Sequence, residues 1–469
     1  MNDFRGHESP HAWLQDLKRR LRKSGRKYNQ PELVAMSTEG DPYLSGTPAD
    51  LAWARWFADI WEREGYKRGM YLRRIHYQLV AKGNVPLPDH YAAETGQKFY
   101  LNTATHDARL GNASKQARYL GLIDPQDLVD NGSPKSIKDF TEYVDKDEPW
   151  LSPDLPDFTL PNLANLPDDW GTPPPPGVYG YEYDTGAQPY LVELWVEKST
   201  VNDELLPICQ RYGLNLQPSK GFQSITGVAQ MLSLAAAAWE QGKPTRIFYI
   251  SDFDPAGHNM PRQIARQIEF WRDRLAPGAD IKLTPLVLTQ AQAREHELPR
   301  TPIEKSGSYS AAFEERFGEG ATELDALTAL RPGVLEQIVI DAVRPYRDMD
   351  LADRYEATES EATDLAEEEW EAATADQREQ IATLRDAVNA VFARHREALQ
   401  SDLAPIVDEL KNVTADLQKV GREFSDTIEL PDPPDPDVET PDEDGWLFDA
   451  ARGYMEQLQH YKDRDNGKP

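Results

Sequence analysis

Between residues 190 and 288 the chain alternates short β-rich runs with helical stretches, and this pattern constrains the fold more than any other feature. Residues 190–196, 246–250 and 281–288 read as strands, and 199–212, 227–241 and 260–274 read as helices. Strands that alternate with helices predict a parallel sheet, because each parallel pair needs a crossover long enough to hold a helix.

The chemistry of this region lies where the strands end. The run RIFYI leads straight into Ser251-Asp252-Phe253-Asp254-Pro255-Ala256-Gly257, and VELWVEK carries Glu197 at the end of an earlier strand. Metals and ligands in open parallel sheets bind at the carboxyl ends of strands. Two acids flanking one residue point the same way while strand geometry persists. If the two strands are neighbours, Glu197, Asp252 and Asp254 converge, and a divalent cation relieves their repulsion. Magnesium suits such oxygen ligands. An Asp-x-Asp pair after a strand also caps helices and closes turns, so the pair alone leaves both readings open.

At 469 residues the chain is long enough for two or three domains. No stretch has the pattern of a signal peptide or a membrane span, so a cytoplasmic protein without a membrane partner is expected. The single cysteine, Cys209, excludes an internal disulfide and a cysteine-rich zinc site. The net charge of −29 argues at first against a nucleic-acid partner. Its distribution changes that reading. Residues 351–449 hold 28 acidic against 8 basic side chains, while residues 18–27 hold seven basic ones and Lys67, Arg68, Arg73 and Arg74 cluster further on. DNA is therefore admissible as a partner, and solvated helix faces account for the basic clusters equally well.

Composition divides the chain into regions. Residues 1–144 are mostly helical in pattern. Residues 145–178, with Pro149, Pro153, Pro156, Pro161, Pro167 and four consecutive prolines from Pro173, form an extended linker, since proline fixes φ and removes donors. Residues 179–347 are the α/β region. Residues 348–426 are helical and acidic, with Ile381, Leu384, Val388 and Val391, then Leu399, Leu403, Ile406, Leu410, Val413, Leu417 and Val420, spaced as a coiled-coil seam or a helical hairpin. A partner helix is implied, and Pro405 predicts a kink or a fresh start. Residues 427–469 read as a disordered acidic spacer followed by a helix over 446–461.

The order Glu197-Lys198 after one strand, Gly221-Phe222 before a helix and Asp252-x-Asp254-Pro255-x-Gly257 after another strand resembles the Toprim domain. Within it the order is similar to the topoisomerase VI A subunit and its meiotic double-strand-break relatives. Residues 322–327, TELDAL, look like a stretch found in this branch. The resemblance covers about residues 190–345 and implies that Glu197, Asp252 and Asp254 bind Mg2+, with Glu197 also moving a proton. Gln223-Ser224 stand where the topoisomerase branch carries a proline and an acid.

The family places a winged-helix domain with a nucleophilic tyrosine ahead of the Toprim domain. Leu72-Arg73-Arg74-Ile75-His76-Tyr77 is similar to its Arg-x-Ile-Tyr-Tyr element, with Tyr77 at the nucleophile position and His76 in place of the first tyrosine. Leu72, Ile75 and Leu79 make an apolar helix face, leaving Tyr77 beside Arg73 and Arg74. A phenol needs such cations, a base or a metal to attack phosphorus at neutral pH. A packing role for Tyr77 stays open. Residues 110–122, with Lys115 and Arg118, suit a second helix of this unit.

His90, His106, His258 and His296 lack metal spacing, and only His258 lies near the acids. There is no P-loop, so coupling to ATP would need a separate ATPase or SMC-like partner subunit. Three function classes follow. The first is DNA cleavage through a tyrosyl–DNA intermediate, as in a type IIB topoisomerase A subunit. The second is hydrolytic DNA cleavage at the same metal site, with a defence or mobile-element role, and the third is a non-catalytic DNA-binding module. A homodimer is expected from the seam and from the logic of cutting two strands.

Overall fold

The computed structural model describes residues 4–36, 40–129, 137–138, 148–152, 174–218, 224–303, 308–394, 399–425, 430–438, 441 and 445–465. Gly221, Phe222 and Gln223, and most of the proline-rich stretch, lie outside the described residues. Helix predominates, and the chain divides into two compact units.

The first unit gathers residues 1–143, 189–347 and 438–469. At its centre is a mixed, largely parallel sheet. Its strands are β1 (Ile137–Lys138), β2 (Leu191–Val196), β3 (Asn215–Pro218), β4 (Thr245–Ile250), β5 (Ile281–Val287) and β6 (Phe448–Asp449), in the spatial order β6-β5-β4-β2-β3-β1. The four inner strands are parallel and the two-residue edge strands antiparallel. β2 and β4 are neighbours in full register, Leu191 opposite Thr245 through Val196 opposite Ile250, so both end at the same level.

Both faces of this sheet are covered, so β2 and β4 are buried along their whole length, Glu193 and Arg246 included. Trp195, Ile247, Tyr249, Ile281 and Leu283 pack with the helices Ile225–Glu240 and Pro255–Leu275. Val192, Leu194, Val196, Phe248 and Ile250 pack with Asn202–Tyr212 and Val334–Val343 on the other side. The expected strands and helices are present with slightly shifted ends. β3 went unread because Asn215-Leu216-Gln217-Pro218 is too short and too polar to signal a strand.

The helices Pro48–Arg63, Leu72–Lys82 and Ala104–Tyr119 share a separate apolar core of Trp53, Phe57, Ile60, Ile75, Leu79, Leu110 and Ala117. A short parallel pair, Met70–Tyr71 with Leu128–Val129, accompanies them. Helix Pro10–Lys23 instead packs Trp13 and Leu14 into the core on the sheet.

The expected helix over 446–461 is corrected. Trp446 and Leu447 are buried, Phe448 pairs with Leu283 as edge strand β6, and the helix starts only at Tyr454, running to Asp465. An open sheet edge and three apolar side chains favour pairing over helix here.

The second unit holds residues 144–188 and 348–437. Its helices are Leu351–Ala373, Ala375–Arg394 and Leu399–Ser425. Ile381, Val388, Leu410, Val413, Leu417 and Phe424 meet in one core with a fully buried Trp370, so these residues of the seam pack within the chain. The helix starting at Leu399 runs on through Pro405, so no fresh start occurs at the proline. The two ends of the proline-rich stretch pair as Trp150–Leu151 with Val178–Tyr179. In the acidic spacer, Tyr181 donates to the Pro431 carbonyl (2.7 Å) and the Asp437 N–H to Asp348 (2.8 Å).

No helix among the described residues is long and apolar enough to cross a membrane.

Candidate functional site

The level ends of β2 and β4 decide the geometry. Glu197 follows β2, and its N–H donates to the Ile250 carbonyl (2.9 Å), which carries the ladder past the last strand residue. Asp252 lies two residues beyond β4 and donates its own N–H to Glu197 Oε2 (3.2 Å). The two acids that sequence assigned to one site are therefore joined directly.

Asp254 is held differently. It caps the helix Pro255–Leu275, accepting from the Gly257 N–H (2.5 Å), with Pro255 in the first turn where a missing N–H costs nothing. A Cβ on Gly257 would stand 2.2 Å from the Asp252 carbonyl oxygen, so only glycine lets the helix start this close to the strand end. The Asp-x-Asp-Pro-x-Gly motif is thus one strand-to-helix turn that fixes both acids. The capping and site readings of Asp254 are compatible.

Asp252 is 5% exposed and fully engaged. Oδ1 accepts from the Leu324 N–H (2.7 Å), and Oδ2 lies 2.6 Å from Lys198 Nζ. Lys198 also reaches Glu323 and stands 3.7 Å from Asp325. These residues were in view in the sequence, in VELWVEK and TELDAL, but nothing in it gave them a role. The antiparallel bridge between Phe253 and Thr322 brings them in.

Electrostatics follow from this crowding. Burial, then the charges of Asp252 and Asp254, push the Glu197 carboxyl up to about 7. Burial also raises Asp252 and Asp254 above the ordinary carboxylate range, against the bonds from Leu324 and Lys198 to the first and from Gly257 to the second. Burial works against the Lys198 ammonium, yet the bonds to Asp252 and Glu323 carry it above its ordinary value. Among the described residues no three His, Cys, Asp or Glu side chains are grouped so as to hold a metal ion.

The chain matches no protein-family model, and no curated protein is significantly similar to it.

Tyr77 lies on the helix Leu72–Lys82, half exposed, with Arg73 donating to its hydroxyl (3.5 Å) and the guanidinium 5.8 Å from the ring centre. That bond raises Arg73 above its ordinary value. Arg74 is exposed on the same helix and does not bond Tyr77. His76 is buried, bonded to Tyr100 Oη (2.7 Å) and Asn102 (3.2 Å). Among the described residues no hydrogen bond or ion pair links Tyr77, Arg73 or Arg74 to Glu197, Asp252 or Asp254. His258 packs its ring on Phe317 (5.2 Å) beside the acid turn, while His106 is fully buried.

Proposed function

We propose that this protein is a magnesium-dependent DNA-cleaving enzyme of the Toprim type. The observation that carries the reading is the junction of Glu197 and Asp252 at the level ends of two neighbouring parallel strands, with Asp254 on the same turn. The donor set fits a hard divalent cation. Glu197 follows β2 and the two aspartates follow β4 beside it, Glu197 is pushed up to about 7 by burial and then by those two charges, and the Lys198 ammonium already stands on Asp252 as a cation would. Glu197, Asp252 and Asp254 would hold the ion, which when bound supplies charge stabilisation at a phosphodiester. Glu197, protonating near neutrality, is suited to move a proton to or from the attacking or leaving oxygen.

For the nucleophile, the accessible Tyr77 hydroxyl with Arg73 upon it favours a tyrosyl–DNA intermediate on a winged-helix-like unit. The absence of any bond from Tyr77 to the acid cluster among the described residues favours attack by water in a hydrolytic nuclease. In the tyrosyl reading a second copy would bring its own Tyr77 to the acids, which makes a homodimer part of that reading. The two are separated by nicking of supercoiled plasmid with magnesium. Loss in both Tyr77→Phe and Asp252→Ala, with protein trapped on DNA ends by the parent, supports the tyrosyl route. Loss in Asp252→Ala alone supports hydrolysis. A parent that cuts no DNA leaves a non-catalytic DNA-binding module.

A further inference from the structure

Near the C-terminal end of the helix Pro255–Leu275 lies a cavity of about 430 Å3, lined in part by Phe4, Tyr119, Phe270 and Trp271. At about 1.5 Å of rise per residue, Trp271 stands about 24 Å along that helix from Pro255, so the cavity is separate from the acid turn. Its walls are aromatic. Tyr119 and Trp271 lie ring to ring (5.7 Å, 26° between planes), and Phe4 stacks on Phe270 (5.0 Å, 16°). Phe4 is held there by a turn closed through backbone bonds with His7 (2.8 and 2.9 Å), in which Arg5 takes a left-handed φ of 49°. Backbone of that kind costs about 1 kcal/mol at a residue other than glycine and persists where its surroundings enforce it.

Two donors in this wall are unused. Trp271 is 1% exposed, and its indole N–H finds no acceptor among the described residues. A buried donor left unpaired costs about 1–3 kcal/mol. The Tyr119 hydroxyl makes no hydrogen bond among the described residues either, and burial holds its phenol above the ordinary value of 10, so it stays a donor.

The acids at the cavity are matched. Asp273 pairs with Arg5 (3.0 Å) and Arg272 (2.9 Å), and Glu8 with Arg55 (3.4 Å). Arg274 has no acidic partner among the described residues, and its guanidinium lies 5.6 Å from the centre of the Trp271 ring. The volume lies above the roughly 300 Å3 at which small-molecule sites begin. Aromatic walls suit a planar ring, N–H and O–H donors suit a ring nitrogen or carbonyl, and a guanidinium suits a phosphate.

We infer that this cavity binds a nucleotide, with its base against Tyr119 and Trp271, an acceptor of the base on the Trp271 indole N–H, and its phosphate at Arg274. The inference stands apart from the acid turn and from the DNA-cleaving reading. A free nucleotide and one unit of a single strand present the same ring and phosphate.

Calorimetric titration of the full chain with adenosine 5′-monophosphate, adenosine and inorganic phosphate tests this. The monophosphate is expected to bind, and phosphate alone to bind about a hundredfold more weakly. Trp271→Phe keeps a ring and removes the N–H, and is expected to weaken the monophosphate about tenfold. Arg274→Gln, at an exposed position, is expected to weaken the monophosphate about tenfold and to leave adenosine unchanged. Three results would each overturn the inference: no binding of the monophosphate at millimolar concentration, parental affinity in both variants, or phosphate binding as tightly as the monophosphate. Melting curves like the parent's show that the variants are folded. Anisotropy of a short labelled single strand identifies the source. A strand that both variants weaken and the monophosphate displaces supplies the nucleotide itself; a strand that neither affects leaves the free nucleotide as the ligand.

Discussion

Lys198 Nζ stands 2.6 Å from Asp252 Oδ2, so a buried carboxylate at the end of β4 is neutralised by the residue that follows Glu197. Any divalent cation taken up by Asp252 competes with this ammonium. Two unit charges about 4 Å apart interact by about 1 kcal/mol in water and about 4 kcal/mol in a partly buried site. Lys198→Met is therefore expected to lower the magnesium concentration for half-maximal thermal stabilisation about tenfold. The same variant should be less stable than the parent in EDTA, by about 1–3 kcal/mol, because Asp252 keeps only the Leu324 N–H. Unchanged magnesium dependence would show that the ammonium does not compete for the site.

Glu197 gives a pH signature. Its folded-state value of about 7 lies above the ordinary 4.5, so the folded protein binds the proton more tightly than the unfolded chain. Stability is thus undiminished below about 4.5 and is lost as pH rises through 7. Without metal, Glu197→Gln is expected to be more stable than the parent by about 1–3 kcal/mol at pH 8, and to converge with it near pH 4.5. Melting temperatures in EDTA across this range measure the effect; a gap that stays constant with pH would refute the assignment.

Arg266 and Asp41 form a fully buried bidentate pair, at 3.1 and 3.2 Å, with Arg266 also bonded to Glu269 (2.7 Å) and its guanidinium 4.4 Å from the centre of the Tyr43 ring. Tyr454 of the C-terminal helix shares the network (3.3 Å), so one arginine ties together segments more than 400 residues apart in sequence. Arg266→Met is expected to cost about 3–5 kcal/mol in urea unfolding, since Asp41 is left a buried charge held only by the backbone N–H groups of Ala35, Met36 and Tyr43. Combining it with Asp41→Asn should cost less than the sum of the single changes.

His106 is locked neutral. Its Nδ1 accepts from the Leu101 N–H (2.8 Å) and its Nε2 then donates to Gln97 Oε1 (2.8 Å). Burial lowers it below the ordinary 6.5, so its contribution is present above that pH and is lost as pH falls toward the folded value. Between pH 7.5 and 5.5 the parent is expected to lose about 1–2 kcal/mol more stability than His106→Asn, as read from urea midpoints. Equal losses would mean that the ring protonates in place.

How much was legible follows from the range of each interaction. The strand and helix runs from residue 190 to 288 could be read because hydrophobic period and chain punctuation are local, and the acids could be placed at strand ends for the same reason. The helix carrying Tyr77 showed itself by the spacing of Leu72, Ile75 and Leu79. Phe448–Asp449 could not be read as a strand, because two residues carry no period and only the open edge of β5 makes them one.

The sequence by itself determined that Glu197, Asp252 and Asp254 end up where strands end. Only the tertiary structure decided that β2 and β4 are neighbours in register, that Lys198 sits on Asp252, and that Thr322–Leu327 closes over the turn. It also brought Arg464 from the end of the chain to a cavity beside the acids. Strand order and long-range charge pairing depend on which surfaces are buried together, and no local pattern of residues encodes that.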